Sequence, residues 1–193
     1  MSQSPATFLE EAQDAARGVY ALLTGNRGAS RYFELSLSGL VGSFAMVLVA
    51  VTLASFAPLP FDPETAAPPT PTLDIILSLL AYGIQAGAAY GFFNLIGRLD
   101  GFIPYLVASN WVTFFSAIAL QIAFAIVGMG LAIPGLMLLL AILIGSLILF
   151  INVGRFIATL KPSQIFLLLV VDGIALFIGL ALLSVFMPAP VAS

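Results

Sequence analysis

The residue of this chain best placed to do chemistry is a carboxylic acid in an apolar run. Asp172 stands in Leu169-Val170-Val171-Asp172-Gly173-Ile174. An aspartate at the centre of a membrane-crossing helix costs about 2.5–3.5 kcal/mol on insertion scales. It must therefore face protein or water and find a partner. The chemistry open to it is that of a proton or cation site, or of a substrate contact. The plainer reading is a single interhelical hydrogen bond worth about 1 kcal/mol. That reading is preferred, because no second ionisable residue is expected at the same depth. Asn110 reaches a comparable level: it lies about 10 Å into its own apolar stretch and Asp172 about 14 Å into another, at the helical rise. The two are expected to face one interior. Gln121 shares a helical stripe with Asn110, Thr113 and Ala117. That stripe either lines a cavity or forms a helix seam, and the seam is the plainer choice. Asp172, Asn110 and Gln121 thus make up the candidate intramembrane polar site.

Little else in the chain offers chemistry. It holds no His and no Cys, so the commonest general base, the commonest metal ligand and all thiolate chemistry are missing. Gly128-Met129-Gly130 begins a glycine-rich nucleotide motif, but Ile133 stands where the third glycine belongs. Asp100-Gly101 opens like the membrane phospholipid-synthase signature, and Phe102-Ile103-Pro104 does not continue it. An intramembrane aspartyl protease needs two facing carboxyls, and Asp74 lies at the outer edge of its stretch. No catalytic, cofactor-binding or metal-ligating residue is expected. With 6 basic and 9 acidic residues the formal net charge is −3, and no basic patch suggests nucleic acid.

The elements that hold these residues follow from composition. Of 193 residues, 61% are hydrophobic and 8% charged, with a mean hydropathy of +1.15. A soluble domain carries about a quarter charged residues. Five apolar stretches, at roughly 36–57, 73–97, 103–127, 132–154 and 163–187, are each long enough to cross the hydrocarbon core as a helix. Helix is forced, because lipid cannot satisfy backbone N–H and C=O groups. The runs do not alternate in polarity as the strands of a barrel would. The expected fold class is all-α: a polytopic membrane protein of five transmembrane helices.

Arg17, Arg27, Arg31, Arg98, Arg155 and Lys161 are all the basic residues. With five spans they fall on one side of the bilayer, which the positive-inside rule makes cytoplasmic. The N-terminus is then inside and the C-terminus outside. The 58–72 connection carries half of the 12 prolines, with Asp62 and Glu64 and no basic residue. It reads as an extended external loop. Residues 1–31 form a cytoplasmic segment and 32–193 the five-span domain.

Within the N-terminal segment, 7–23 has the pattern of a short amphipathic helix. Thr7 and Glu10 have capping-box spacing. Phe8, Ala12, Ala15, Val19 and Leu22 repeat at helical spacing, and Gly25 can end the element. It either lies in the membrane surface or packs on the ends of the spans. Gly83, Gly87 and Gly91 form a doubled small-xxx-small pattern for close helix packing, by default against another span of the same chain. Asn94-Leu95-Ile96-Gly97-Arg98 and Asn152-Val153-Gly154-Arg155 each close a span ahead of a proline, which raises the idea of a duplicated hairpin.

Tyr32-Phe33-Glu34-Leu35-Ser36-Leu37-Ser38-Gly39, with Ser43-Phe44 and the Asn110-Trp111 pair, resembles the corresponding parts of small bacterial membrane proteins. The five-span, N-inside layout is similar to that of the Yip domain family. The resemblance implies a role in membrane organisation and trafficking, as that family has in eukaryotes, and no catalytic residue. Taken together, the expectation is a non-enzymatic integral protein of a bacterial inner membrane, in contact with the lipid bilayer and with a membrane-protein partner or further copies of itself. The alternative is a small permease or channel, proton-linked through Asp172. The topology has a direct check: probes attached near Asp62 and at the C-terminal tail should react from outside intact cells. Shielding of either position breaks the five-span assignment.

Overall fold

The structure, a computed structural model, describes residues 8–56 and 70–186. Thr7, most of the proline-rich connection with Asp62, and the C-terminal tail lie outside the described residues. A helix α1 (Phe8–Leu23) precedes five long helices: α2 (Leu37–Ser55), α3 (Pro71–Leu95), α4 (Phe102–Gly128), α5 (Ala132–Asn152) and α6 (Pro162–Phe186). No strand occurs among the described residues. Each long helix begins and ends within two residues of its expected span. All five are apolar and long enough to cross a membrane.

Local chemistry sets the helix ends. Ser36 caps α2, its side chain accepting from the Gly39 N–H. Thr70 does the same for α3 through the Leu73 N–H, with Pro71 at the first helical position, where its missing N–H costs nothing. Gly25 and Gly97 stop α1 and α3. Their φ values of +72° and +67° lie in the left-handed region that side chains with a Cβ avoid. In each case the next residue donates back five positions, Asn26 N–H to Ala21 C=O and Arg98 N–H to Phe93 C=O, as in a Schellman closure.

α2 packs beside α3 and α4, α4 also packs against α5, and α6 lies along α3. The α4–α5 hairpin turns within a few residues. It closes tightly because Gly135 has no side chain: a Cβ there would sit 2.3 Å from Val127 Cγ2. At the other end of the bundle α1 lies against α4 and α5. Its Ala15 and Leu22 are fully buried, and Ala12 and Val19 are partly so. Asn152 of α5 donates to the Leu22 carbonyl at 2.8 Å, which ties the end of α1 to the bundle. The main hydrophobic cluster gathers at this end, with Phe33, Phe93, Tyr105, Trp111, Val153 and Leu168. The outer faces stay apolar: Leu136, Met137, Leu140 and Leu143 of α5, and Phe166, Phe177 and Leu180 of α6, are exposed, as in contact with lipid.

The structure bears on two further features of the sequence, the glycine row expected to pack against another span and the paired Asn…Gly-Arg segments. A Cβ at Gly83, Gly87 or Gly91 would meet nothing within 4 Å. The glycine row therefore seats no described span of this chain, since α3 turns its opposite side to α2 and α6 and leaves Gly83, Gly87 and Tyr90 exposed. The two Asn…Gly-Arg segments also differ in build. Gly97 ends its helix with a positive φ, whereas Gly154 lies inside a π-helical turn (Val153–Ile157) that prolongs α5. Only Asn152 of the two asparagines holds α1. The likeness of the two segments does not extend to their geometry.

Glu11 of α1 rests over Gly42 of α2, where a Cβ would lie 2.9 Å from its Oε1. That oxygen is buried and has no hydrogen-bond partner among the described residues. Burial, and then the charge of Glu34, push its carboxyl above the ordinary 4.5. Because the docked value is raised, docking is strongest when both docked and free forms are protonated. It weakens as pH rises through the docked value. Hydrogen-exchange protection of the α1 amides, corrected for intrinsic rates, should therefore fall from acid to neutral pH. Glu11→Gln should flatten that dependence. An unchanged profile in the variant would assign the effect to another group.

Candidate functional site

The polar side chains of the spans are built into short hydrogen-bonded links between helices. The central one involves three helices. Asn110 of α4, 1% exposed, donates through Nδ2 to Ser43 Oγ of α2 at 3.1 Å. Its Oδ1 accepts from the Tyr82 hydroxyl of α3 at 2.9 Å. The Ser43 hydroxyl in turn donates to the Leu40 carbonyl at 3.1 Å. Both ends of the Asn110 carboxamide are thereby partnered in a buried setting, where an unpartnered amide is expensive.

Asp172 of α6 belongs to a second link. Its Oδ2 accepts from the Tyr105 hydroxyl of α4 at 2.9 Å, and the residue is partly buried. Tyr105 and Asn110 are five residues apart on α4, about 140° around the helix at 3.6 residues per turn. One looks towards α6 and the other towards α2 and α3. Depth matching brought Asp172 and Asn110 to one level, but the helical rotation separates them, and the structure does not join them in one site.

Gln121 is apart from both. It lies eleven residues beyond Asn110, about 16 Å along the axis. It lines an apolar groove between α2 and α4 with Ala50, Leu53, Ala117 and Ile122. Thr113 is exposed while Asn110 is buried, so the stripe read from the sequence divides between the lipid-facing side and the interior. Asp74 is held by the Ser55 hydroxyl across the α2–α3 pair, at the end of the bundle away from α1.

Tyr82 and Tyr105 were not singled out from the sequence, and Ser43 was named only within a motif, not as a partner of Asn110. The available signal was physical: a hydroxyl in hydrocarbon needs a partner as much as a carboxamide does. Trp111 beside Asn110 is completely buried. It stacks on Phe115 at 6.1 Å between ring centroids, which makes it a packing residue.

The α1 end has its own polar closure. Arg98 donates to Asp100 through Nε at 3.1 Å, to Thr159 Oγ1 at 2.8 Å and to the Ala158 carbonyl at 3.4 Å. It thus joins the α3–α4 turn to the α5–α6 turn. The Arg98 hydrogen bond holds the Asp100 carboxyl below its usual range. Thr159 adopts a φ of +52°, a left-handed conformation that a β-branched residue enters only under constraint, and Arg98 supplies part of that constraint. No cluster of three metal-ligating side chains occurs among the described residues. No protein-family model, curated protein or solved structure matches the chain.

A double-mutant cycle tests the central link. Asn110→Leu and Tyr82→Phe should each destabilise the protein in detergent by about 1 kcal/mol. The double variant should lose less than the sum of the two, with a coupling of about 0.6–1.7 kcal/mol. Strict additivity of the unfolding free energies would show that the two side chains do not act together.

Proposed function

We propose that this chain is a non-enzymatic integral membrane protein that organises or assists other membrane components, seated in a bacterial inner membrane with α1 on the cytoplasmic side. The observation that carries this reading is the use to which its intramembrane polar groups are put. Ser43, Asn110 and Tyr82 hydrogen-bond one another across three helices, where a translocation path would need those groups turned towards solvent. Two further features support it. Among the described residues no other helix covers the Gly83–Gly87 side of α3, which leaves room for a neighbour. The five-span layout with a polar N-terminal segment resembles that of the Yip domain family. The test is affinity capture from gently solubilised membranes under stringent quantification. A partner or a second copy recovered at fixed stoichiometry is expected, and a clean monomer opposes the proposal.

A second reading rests on Asp172. The group is partly exposed and has a hydrogen bond from Tyr105, so a permease or channel linked to protons could be assembled around it in an oligomer. Reconstituted vesicles containing the wild type and Asp172→Asn separate the two readings. A flux of protons, ions or small solutes that the substitution abolishes favours transport. No flux from the wild type removes this reading.

A further inference from the structure

At the α1 end a surface cavity of about 480 Å³ is lined by Arg17, Tyr20, Ala21, Thr24, Asn26 and Tyr32, among others. The hydrogen-bond pattern of its walls is one-sided. Asn26 Oδ1 accepts from the Gly28 N–H at 2.9 Å, which leaves the Asn26 NH2 as a donor. The Tyr32 oxygen accepts from Arg31 at 2.9 Å, so its own proton is free to point outward. Arg17 adds a guanidinium and Tyr20 a second phenolic proton. Three backbone carbonyls in the last turn of α1, which would repel an anion here, are already taken up. Tyr20 C=O accepts from Thr24, Ala21 C=O from Asn26, and Leu22 C=O from Gly25 and Asn152. The wall therefore offers the donors of Arg17, Tyr20, Asn26 and Tyr32, beside one acceptor, the Thr24 hydroxyl oxygen, whose proton goes to α1 carbonyls.

Charge adds to this. Arg31 stacks over the ring of Tyr32, one of the lining residues, at 4.8 Å, so a second cation lies beside the cavity wall that Arg17 already charges. The described lining holds no carboxylate. Asp14 pairs with Arg17 at 2.7 Å, but both are largely exposed, and such a pair is readily exchanged for a better acceptor. The position matters too. α1 is fixed against the ends of α4 and α5, and its Leu9, Tyr20 and Leu23 are exposed apolar or amphipathic groups. That places the cavity at the level where lipid headgroups meet the bundle.

We infer that the cavity between the end of α1 and Tyr32 is a phosphate-binding site that takes the headgroup of an anionic phospholipid. Arg17 supplies the charge-assisted contact, and Asn26, Tyr20 and Tyr32 donate to the remaining oxygens. A soluble phosphomonoester offers the same chemistry, so the experiment must distinguish the two sources. It stands apart from the organising role proposed above, since headgroup binding is read without any protein partner.

The test is native mass spectrometry of the purified full chain in neutral detergent, with phosphatidylglycerol and phosphatidylcholine added at equal concentration. Phosphatidylglycerol should be retained about tenfold more than phosphatidylcholine, the scale of one charge-assisted contact. Arg17→Gln and Tyr32→Phe should each reduce that preference several-fold, with thermal melts showing that the fold is kept. Arg155→Gln removes a cation elsewhere and should leave it unchanged. Glycerol 1-phosphate is the second arm. If it fails to displace the lipid, the lipid headgroup is the ligand; if it binds and displaces it, the phosphate site stands and a soluble phosphoester is its ligand. Equal retention of both lipids without binding of glycerol 1-phosphate overturns the proposal. So does an equal loss in Arg155→Gln, which would reduce the effect to net charge.

Discussion

A polar group in hydrocarbon has no water to turn to, and nearly every feature of this bundle follows from that scarcity. The backbone meets it by becoming helix. The side chains meet it by reaching between helices: Asn110 to Ser43 and Tyr82, Asp172 to Tyr105, Asp74 to Ser55. Apolar packing alone discriminates weakly between helix neighbours here, because lipid tails are as apolar as leucine. The polar links have geometric requirements that leucine lacks, and they fix which helix faces which. Each is modest in energy, but each names a specific pair of helices, and together they relate α2, α3, α4 and α6.

The two ends of the bundle solve different problems. At the end away from α1 a turn of a few residues joins α4 and α5, and Gly135 lets the two backbones approach. At the α1 end a sixth element packs against α4 and α5. This is α1 itself, which buries Ala15 and Leu22 and is fastened by Asn152. Arg98 then bridges two turns that are distant in sequence, at Asp100 and Thr159. One basic residue of this end is thus a structural fastener.

The spans were legible in the sequence because hydropathy is summed over about twenty residues, and single errors average out. Helix ends were legible where a residue has a specific local role, as with Gly25. The polar site was legible only in part. Asn110 and Asp172 were found as costly groups, but their partners depend on the rotation of α4, which depth along the axis does not carry. The stripe containing Asn110, Thr113, Ala117 and Gln121 shows the same gap: it is a row on a helix, and only the positions of α2 and α3 decide which part of the row is covered. The glycine row of α3 was legible as a pattern and silent on its neighbour, because a small residue records that something can come close without recording what does.

The chain has one tryptophan, and it sits beside Asn110 with no solvent exposure, stacked among Phe114 and Phe115. Its near-ultraviolet emission therefore arises from a single place, next to the hydrogen-bonded junction of three helices. The indole is a built-in optical gauge of that junction. A red shift of its spectrum would report water or headgroups reaching that junction, while events confined to the outer faces would leave the spectrum where it stands.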